Sequence, residues 1–541
     1  MQTHPVSDTN HFMVEILAWL AYNRAKINKI YQRGERMRQI FENIPHTLVQ
    51  DFAADITAVV HDTRKITPGA MFICLRGQKA DGHNLLAEAA KKGACAAVVD
   101  KDFAGEIPAG MGAIRVENTR RAMAVISANF YGNPAKKLRL IGVTGTNGKT
   151  TVTYFIEEIL RKAGRSTGLI GTVGLRAMGE PLNIPFATDT TPDPPELHQI
   201  FAKMLEMGVQ DVVMEVSSHA LALCKMEGLT FDVGVFTNLT QDHLDFHGTM
   251  ENYARAKAQL FSQSKFAAVN ADDGASKIML EHHGDDPFFT YGIENTAHFR
   301  AIHTVCEPRH SSFTLQNGEV SLPITIPVGG RFNVYNVLAS AAAASALGIP
   351  VPQIQTAAAG LCGVPGRIQS VPNSRGLNVF VDYAHTPDGL ENIISAVRGT
   401  TAGRVITIFG CGGDRDVTKR PIMGEIAARL SDYCILTSDN PRTEDPQKIL
   451  AQIEAGAQGA QGAQPKPGAN AQSSAVLSKP ESLSAYEIIE NRRDAIFAGI
   501  KMLRPEDALI IAGKGHEDYQ IIGTTKHHFD DFETATKALQ T

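Results

Sequence analysis

The chain has 541 residues, 43% of them apolar and 20% charged, and its 52 Lys and Arg against 57 Asp and Glu leave a net charge of −5. Ordinary globular usage at this length excludes a disordered, collagen-like or coiled-coil protein and suggests three or four domains. The mildly acidic balance, pI near 6.4, supplies no global attraction for nucleic acid, so a phosphate-bearing ligand has to be held by a local site.

Residues 12–42 carry Ile16, Leu17, Leu20, Ile27, Ile30, Tyr31, Met37 and Ile40 at near-helical spacing. Arg24, Lys26, Lys29, Arg33, Arg36 and Arg38 make the other face basic. This predicts an accessory amphipathic helix over an extension, residues 1–47, with Met37 as a second candidate start. The seven cysteines are odd in number and form no CxxC pair. That pattern predicts a reducing, cytoplasmic setting without disulfides or structural zinc. No 18-residue apolar run occurs, so no membrane span is expected.

From about Leu48, short β-like runs alternate with helical ones. Val59–Val60, Met71–Leu75 and Ala96–Val99 are strand candidates, with a helix over Asn84–Lys92. Leu138–Val143 is an apolar strand, followed by a glycine loop and a helix at Thr150–Ala163. Strands follow at Val212–Val216, Val233–Thr237, Val379–Val381, Val405–Phe409, Tyr433–Thr437 and Ala508–Ile511. Such alternation predicts α/β domains on parallel sheets. Gly456–Gln464 repeats GAQ three times before a Pro/Ser/Ala run to Pro480, which predicts a flexible insertion over 456–480.

The sharpest local signal is Gly142-Val-Thr-Gly-Thr-Asn-Gly-Lys-Thr-Thr151. A glycine loop between an apolar strand and a helix turns its N–H groups inward as an anion nest, and the helix dipole adds to it. Gly145, Thr146, Asn147, Gly148, Lys149, Thr150 and Thr151 are the candidate phosphate contacts. Lys149 would bridge the β- and γ-phosphates, and the Thr150 hydroxyl would ligate Mg2+. Val143 breaks the strict Walker spacing.

In this form the loop resembles that of the Mur ligases, ATP-dependent amide-bond-forming enzymes; folylpolyglutamate synthases share a related loop. Other segments agree from about residue 48 onward. Glu215 in Met-Glu-Val-Ser-Ser-His-Ala-Leu, and His243 in Phe236-Thr-Asn-Leu-Thr-Gln-Asp-His-Leu-Asp245, match Mg2+-binding positions. Lys257 matches the lysine that CO2 carbamylates. The resemblance thus implies two Mg2+ ions held by Thr150, Glu215, His243 and carbamylated Lys257, with Lys149, Glu215, His243 and Lys257 as the catalytic set. Residue chemistry alone reads Lys257 as an exposed helical lysine. Asn336 in Gly330-Arg-Phe-Asn-Val-Tyr-Asn336, Arg367 in Pro365-Gly-Arg367, and Asp382 and His385 in Asp-Tyr-Ala-His-Thr-Pro-Asp388 match further ATP contacts.

The N-terminal segment resembles a UDP-binding domain. Thr63 in Asp62-Thr-Arg64, and Gln78, Lys79 and Ala80 in Gly77-Gln-Lys-Ala-Asp-Gly82, match contacts to a UDP-N-acetylmuramoyl dipeptide. So do Asp189, Thr190 and Thr191 in Asp-Thr-Thr-Pro-Asp193, and Ser217, Leu223 and Lys225. Lys79 departs from the usual residue, and Lys225 stands where arginine is common, keeping charge but losing the bidentate fork. Asp439-Asn-Pro-Arg442 resembles the branch of the family that adds meso-diaminopimelate. Arg442 would grip the distal carboxylate, Pro441 would set the turn, and Asp439 and Asn440 would supply an acceptor and a donor. Arg415, Gly513 and Glu517 match the remaining contacts.

The resemblance implies three α/β domains, about 48–138, 139–366 and 367–541, with a central P-loop ATPase-like parallel sheet and a Rossmann-like C-terminal domain. It implies a monomer acting on small-molecule substrates, without nucleic acid. A folylpolyglutamate synthase fits the N-terminal segment and DNPR less well. A silent scaffold would have no reason to keep Lys149, Glu215, His243 and Lys257, and no GxGxxG after a strand supports a dehydrogenase.

Overall fold

A computed structural model describes residues 35 and 37–541 apart from 53, 78, 79, 187, 189, 362 and 461–484. By packing, these residues form two compact units. One takes its residues from Met1–Leu140, Asn183–Gln210 and Ser217–Thr230; the other from Ile141–Leu182, Asp211–Val216 and Phe231–Thr541. Most of the expected helix over 12–42 lies outside the described residues. Residues 37–40 are helical, and Ile40 and Phe41 enter the core of the first unit.

The first unit is built on a five-stranded sheet. In chain order its strands are β1 (His46–Gln50), β2 (Ala58–Val60), β3 (Ala70–Ile73), β4 (Ala96–Asp100) and β5 (Gly112–Val116), arranged β1-β5-β4-β3-β2. Only the β1–β5 pairing is antiparallel. Period-two alternation splits each central strand between two cores. Met71, Ile73, Ala96 and Val98 face one, and Phe72, Cys74, Ala97 and Val99 face the other. The helix Pro194–Glu206 starts at an Asp193–Glu196 capping box, with proline at its first turn.

The second unit contains an eleven-stranded sheet. Its strands are β6 (Arg139–Thr144), β7 (Thr167–Gly171), β8 (Gly174–Ala177), β9 (Glu180–Pro181), β10 (Asp211–Glu215), β11 (Val233–Phe236), β12 (Ala267–Asn270), β13 (Phe288–Gly292), β14 (Phe299–Cys306), β15 (Ser311–Asn317) and β16 (Val320–Ile326). The spatial order is β16-β15-β14-β13-β12-β11-β6-β10-β7-β8-β9. The middle pairs are parallel, as expected, but both margins are antiparallel. The helix Arg331–Ala346 is buried almost all round because alanines cover most of its surface. It packs on the helix Lys149–Lys162.

The same unit carries a six-stranded sheet: β17 (Gln369–Ser370), β18 (Asn378–Asp382), β19 (Val405–Phe409), β20 (Tyr433–Leu436), β21 (Ala485–Ile488) and β22 (Ala508–Ala512), ordered β17-β18-β22-β19-β20-β21. All pairs but β17–β18 are parallel. Helices cover both faces. Ala508, Ile510 and Ala512 pack against Leu390, Met423 and Ile449, while Leu509 and Ile511 pack toward Ile496 and Ala535. A two-stranded hairpin, β23 (Tyr519–Ile522) with β24 (Thr525–His528), follows.

The first five residues of the insertion expected from Gly456 are helical instead. Gly456–Ala460 is the last turn of a helix, Pro446–Ala460, and Ala457 is fully buried. The remainder of the expected insertion, from 461, lies outside the described residues. Two glycines make the close helix contact possible. A Cβ at Gly424 would lie 2.0 Å from the Ile453 carbonyl oxygen, and one at Gly456 would lie 1.8 Å from that of Pro421. Low complexity here encodes a tight helix–helix approach. Gly456→Ala should therefore lower stability by about 1–3 kcal/mol through overpacking. Gly459→Ala, whose Cβ meets nothing within 4 Å, should be neutral or stabilising by up to about 1 kcal/mol. Thermal melts of the two variants distinguish a packed helix end from a tolerant linker.

Candidate active site

In the second unit, the phosphate loop links the carboxyl end of β6 to the helix Lys149–Lys162. Gly145 and Gly148 both have positive φ, 149° and 84°. A Cβ at Gly145 would lie 1.8 Å from Thr237 Oγ1, and one at Gly148 would lie 2.7 Å from Asn336 Oδ1. Glycine is thus required by close approach as well as by backbone conformation. The segment after the neighbouring strand β11 clamps the loop. Asn147 N–H donates to Asn238 Oδ1 at 2.9 Å, Thr146 N–H to the Asn238 carbonyl at 2.8 Å, and Thr237 Oγ1 to the Asn147 carbonyl at 2.7 Å.

Two amines converge on one loop carbonyl. Lys149 Nζ donates to Gly145 O at 2.9 Å and Thr146 O at 2.8 Å, and Lys257 Nζ donates to Gly145 O at 2.8 Å. Lys257 is 1% exposed, not the surface lysine its helical context suggests. Its Nζ lies 4.2 Å from the centroid of the Tyr253 ring. Burial, and then the charge of Lys149, push its pKa well below the ordinary lysine value. Burial also lowers Lys149, partly offset by Glu215.

Glu215 ends β10 and is buried. Its Oε1 accepts the Thr172 N–H at 2.8 Å, and Thr172 Oγ1 donates to Oε2 at 3.3 Å. Thr172, at the carboxyl end of β7, carries no sequence signal beyond a hydroxyl after glycine. Thr150 is buried at the helix start. His243 has a left-handed φ of 53° and lies 3.4 Å from Asp242. Burial lowers its pKa against the pull of Asp242. Among the described residues no group of three or more His, Cys, Asp or Glu forms a metal cage. A hydroxyl and one carboxylate beside a phosphate loop still fit Mg2+, which is commonly held by one or two carboxylates plus substrate phosphates.

Asn336 hydrogen-bonds Asn333 Oδ1 at 3.1 Å behind the loop. Arg367 packs over the Tyr383 ring at 5.4 Å. Asp382, whose pKa burial raises, accepts the Ile368 and Ala384 N–H groups, both at 2.8 Å. It therefore pins the Pro-Gly-Arg turn to β18. His385 Nδ1 pairs with the Tyr383 carbonyl at 2.8 Å, and burial lowers its pKa.

Four loops leave the carboxyl ends of the adjacent parallel strands β18, β22, β19 and β20, the usual ligand edge of such a sheet. The loops after β19 and β20 are strapped together. Arg442 Nη1 donates to the Gly413 carbonyl at 2.7 Å, Gly413 N–H to the Asn440 carbonyl at 2.9 Å, and Thr443 Oγ1 to Asp414 at 2.8 Å. Fully buried Arg420 anchors them through Glu444 at 2.9 Å and the Gly412 carbonyl at 3.1 Å. Arg415 is exposed beside them. Asn440 Nδ2 donates to Glu517 Oε2 at 3.0 Å. Gly513, at φ 121°, begins the loop that carries Glu517, and burial and then Asp439 raise the Glu517 pKa. Lys514, absent from the sequence-derived set, lies in this cluster; a lysine between two glycines after an apolar strand was the available signal.

The first unit assembles a separate polar cluster. Asp193 pairs with Lys225 at 2.8 Å and His61 at 3.3 Å. Ser217 N–H donates to Thr191 Oγ1 at 3.1 Å. Thr63 opens a short 3-10 turn capped by Asp62. Thr190 and Leu223 flank the cluster in sequence, and Ala80 is exposed. Gln78, Lys79 and Asp189 lie outside the described residues. His61 was missed because it precedes the matched Asp-Thr-Arg segment and meets Asp193 only through folding. Burial raises the Asp193 pKa, but His61 and Lys225 outweigh it, and the net shift is downward. A depressed folded-state pKa contributes stability above the unfolded carboxylate value, near 4, and loses it as pH falls through the folded value. Asp193→Asn should therefore melt below wild type at pH 7, with the gap closing below about pH 4. A constant gap across that range would remove the ion pairs as its cause.

Three family descriptions match the chain: the Mur ligase catalytic domain at residues 55–131, the middle domain at 143–344, and the glutamate ligase domain at 366–515. A Bacillus licheniformis protein named UDP-N-acetylmuramoyl-L-alanyl-D-glutamate–2,6-diaminopimelate ligase is 43% identical, covering 92% of this chain and 97% of its own. One of the same name from Lactiplantibacillus plantarum is 44% identical, over 92% and 96%. A solved structure bearing that name superposes with a TM-score of 0.62 at 30% identity, covering 91% of this chain and 99% of that one.

Proposed function

This chain belongs to the Mur ligase family, and we propose that it joins meso-2,6-diaminopimelate to the D-glutamate of UDP-N-acetylmuramoyl-L-alanyl-D-glutamate at the expense of ATP. This is a step of peptidoglycan precursor synthesis, carried out by a cytoplasmic monomer on small-molecule substrates. Among the described residues no helix is long and apolar enough to cross a membrane.

The chemistry is acyl activation followed by aminolysis. The γ-phosphoryl group passes from ATP to the D-glutamate γ-carboxylate, giving an acyl phosphate and ADP. The acceptor amine, as the free base, attacks the carbonyl carbon. The tetrahedral intermediate expels phosphate, and the nitrogen sheds its second proton. Lys149 and the loop N–H groups stabilise charge on the phosphoryl oxygens. Asn336, Arg367, Asp382 and His385 complete the ATP site. Thr150, Glu215, His243 and the carbamate of Lys257 would hold two Mg2+ ions, which offset phosphate charge when bound. The surroundings of Lys257 suit that modification. Burial and Lys149 favour the neutral amine, whose nitrogen adds to CO2 and releases a proton. The resulting anion would face Lys149 rather than oppose it.

The dipeptide substrate is assigned to the cluster in the first unit, with Thr63, Thr191, Ser217 and Lys225 as contacts. The acceptor is assigned to the carboxyl edge of the six-stranded sheet. The observation that carries this reading is the strapping of the loops after β19 and β20, which places Arg442 beside Gly413, together with the Asn440–Glu517 bond. A cation and an anion held in place suit an acceptor with an amine and a carboxylate at its far end. With Nη1 donating to Gly413, the guanidinium keeps its other donors for a carboxylate. Arg415, Asp439, Pro441 and Gly513 complete the pocket.

Phosphate release with a panel of amino acids tests the assignment. Wild type should use meso-diaminopimelate and barely use L-lysine, because lysine leaves the Arg442 guanidinium unpaired. That loss costs on the order of 2–5 kcal/mol, a discrimination of roughly 30- to several-thousand-fold. Arg442→Ala should lose most diaminopimelate activity while KM for ATP stays near wild type. Equal use of both amino acids would overturn the acceptor assignment.

Lys257→Ala should be nearly inactive and partly rescued by added short-chain carboxylates, which can replace a carbamate. Rescue by amines instead would show that the residue works as a cation.

A further inference from the structure

Lys514 is 0% exposed, and its ammonium has three donors with three acceptors around it. Nζ lies 3.1 Å from Asp439 Oδ1, 3.0 Å from Asn440 Oδ1 and 2.8 Å from the Tyr519 carbonyl. Two of these contacts are hydrogen bonds and the third is an ion pair, so this buried lysine is already engaged within the protein. Its effect must pass through the groups that it holds.

The first of these is Asn440. Its Oδ1 accepts from Lys514 and from the Ile521 N–H, the latter at 2.9 Å. Two donors on one side allow only one amide orientation. The flipped amide would set NH2 against both an ammonium and an N–H group. Nδ2 must therefore point the other way, where it donates to Glu517 Oε2 at 3.0 Å. The second is electrostatic. Glu517 faces Asp439, Lys514, Arg442, Arg492 and the Tyr519 phenol. Lys514 is a buried cation that bears on both carboxylates of this group.

We propose that Lys514 is the positioning residue of the acceptor site: by fixing the Asn440 amide and screening Asp439 from Glu517, it aims an ionised Glu517 at the ammonium of the incoming amino acid. This rests on the acceptor assignment above. Lys514 belongs to the loop after β22, whereas Asp439 and Asn440 follow β20. One side chain thus ties together the loops that carry Asn440 and Glu517.

The test is steady-state kinetics of full-length Lys514→Met, Lys514→Arg and Asn440→Asp, with circular dichroism as a fold check. Lys514→Met should raise KM for meso-diaminopimelate roughly 30-fold or more while KM for ATP stays within about twofold. Its acidic limb of kcat/KM for diaminopimelate should move to higher pH, because Glu517 then ionises beside an unscreened Asp439. Lys514→Arg should restore the limb but only part of the KM, because a planar fork matches three acceptors around an ammonium poorly. Asn440→Asp keeps acceptors for Lys514 and Ile521 but repels Glu517, so it should show the same KM defect even if Lys514→Met fails to fold. Unchanged KM for diaminopimelate in both Lys514→Met and Asn440→Asp would overturn the proposal. So would a fall in kcat alone with an unmoved pH profile. A wild type that used L-lysine as well as diaminopimelate would instead overturn the acceptor assignment, so the two failures are distinguishable.

Discussion

Parallel pairing puts the carboxyl ends of neighbouring strands on one edge of a sheet, and nearly all the chemistry of the second unit hangs on that edge. In the eleven-stranded sheet, β6 delivers the phosphate loop, β11 the Thr237–Asn238 clamp, β10 Glu215 and β7 its Thr172 partner. In the six-stranded sheet, β18, β22, β19 and β20 bring four loops to one edge. Shifting one of these strands by a residue would turn its core side chains to the other face. The apolar cores on both faces therefore hold the register, and the register holds the loops.

Within that frame, polar groups do two kinds of work. Some bind other parts of the protein and serve as struts. Lys514, Asn440 and Arg420 are buried and spend their hydrogen bonds inside the protein, so unpairing any of them would strand a buried polar group. Asp382 likewise gives an oxygen to each of two backbone N–H groups. Others are less engaged: Arg442 binds Gly413 through one nitrogen, whereas Lys149 and Lys257 donate to phosphate-loop carbonyls.

The Lys149–Lys257 pair shows how environment sets chemistry. Two amines on one carbonyl, one of them almost fully buried, disfavour two full charges. Burial and the charge of Lys149 both shift the Lys257 pKa downward. A lysine in an Arg-Ala-Lys-Ala run acquires this character only because its helix packs beneath the phosphate loop.

The phosphate loop and the apolar parallel strands were readable from sequence because each depends on contiguous residues: glycine spacing, a strand before and a helix after. The Asp-Asn-Pro-Arg segment stood out by resemblance, since its residues are contiguous. Pairings distant in the chain were not visible. His61 with Asp193, Thr172 with Glu215 and Lys514 with Asn440 follow from strand order, which no local pattern encodes. Residues 456–460 of the GAQ repeat were misread for the same reason. Composition reports a lack of side chains, and glycine and alanine serve a loose linker and a close helix contact equally well. Whether Gly456 meets solvent or the Pro421 carbonyl depends on a different helix earlier in the chain. Sequence determined which groups could act, and tertiary packing decided which were buried, paired and aimed.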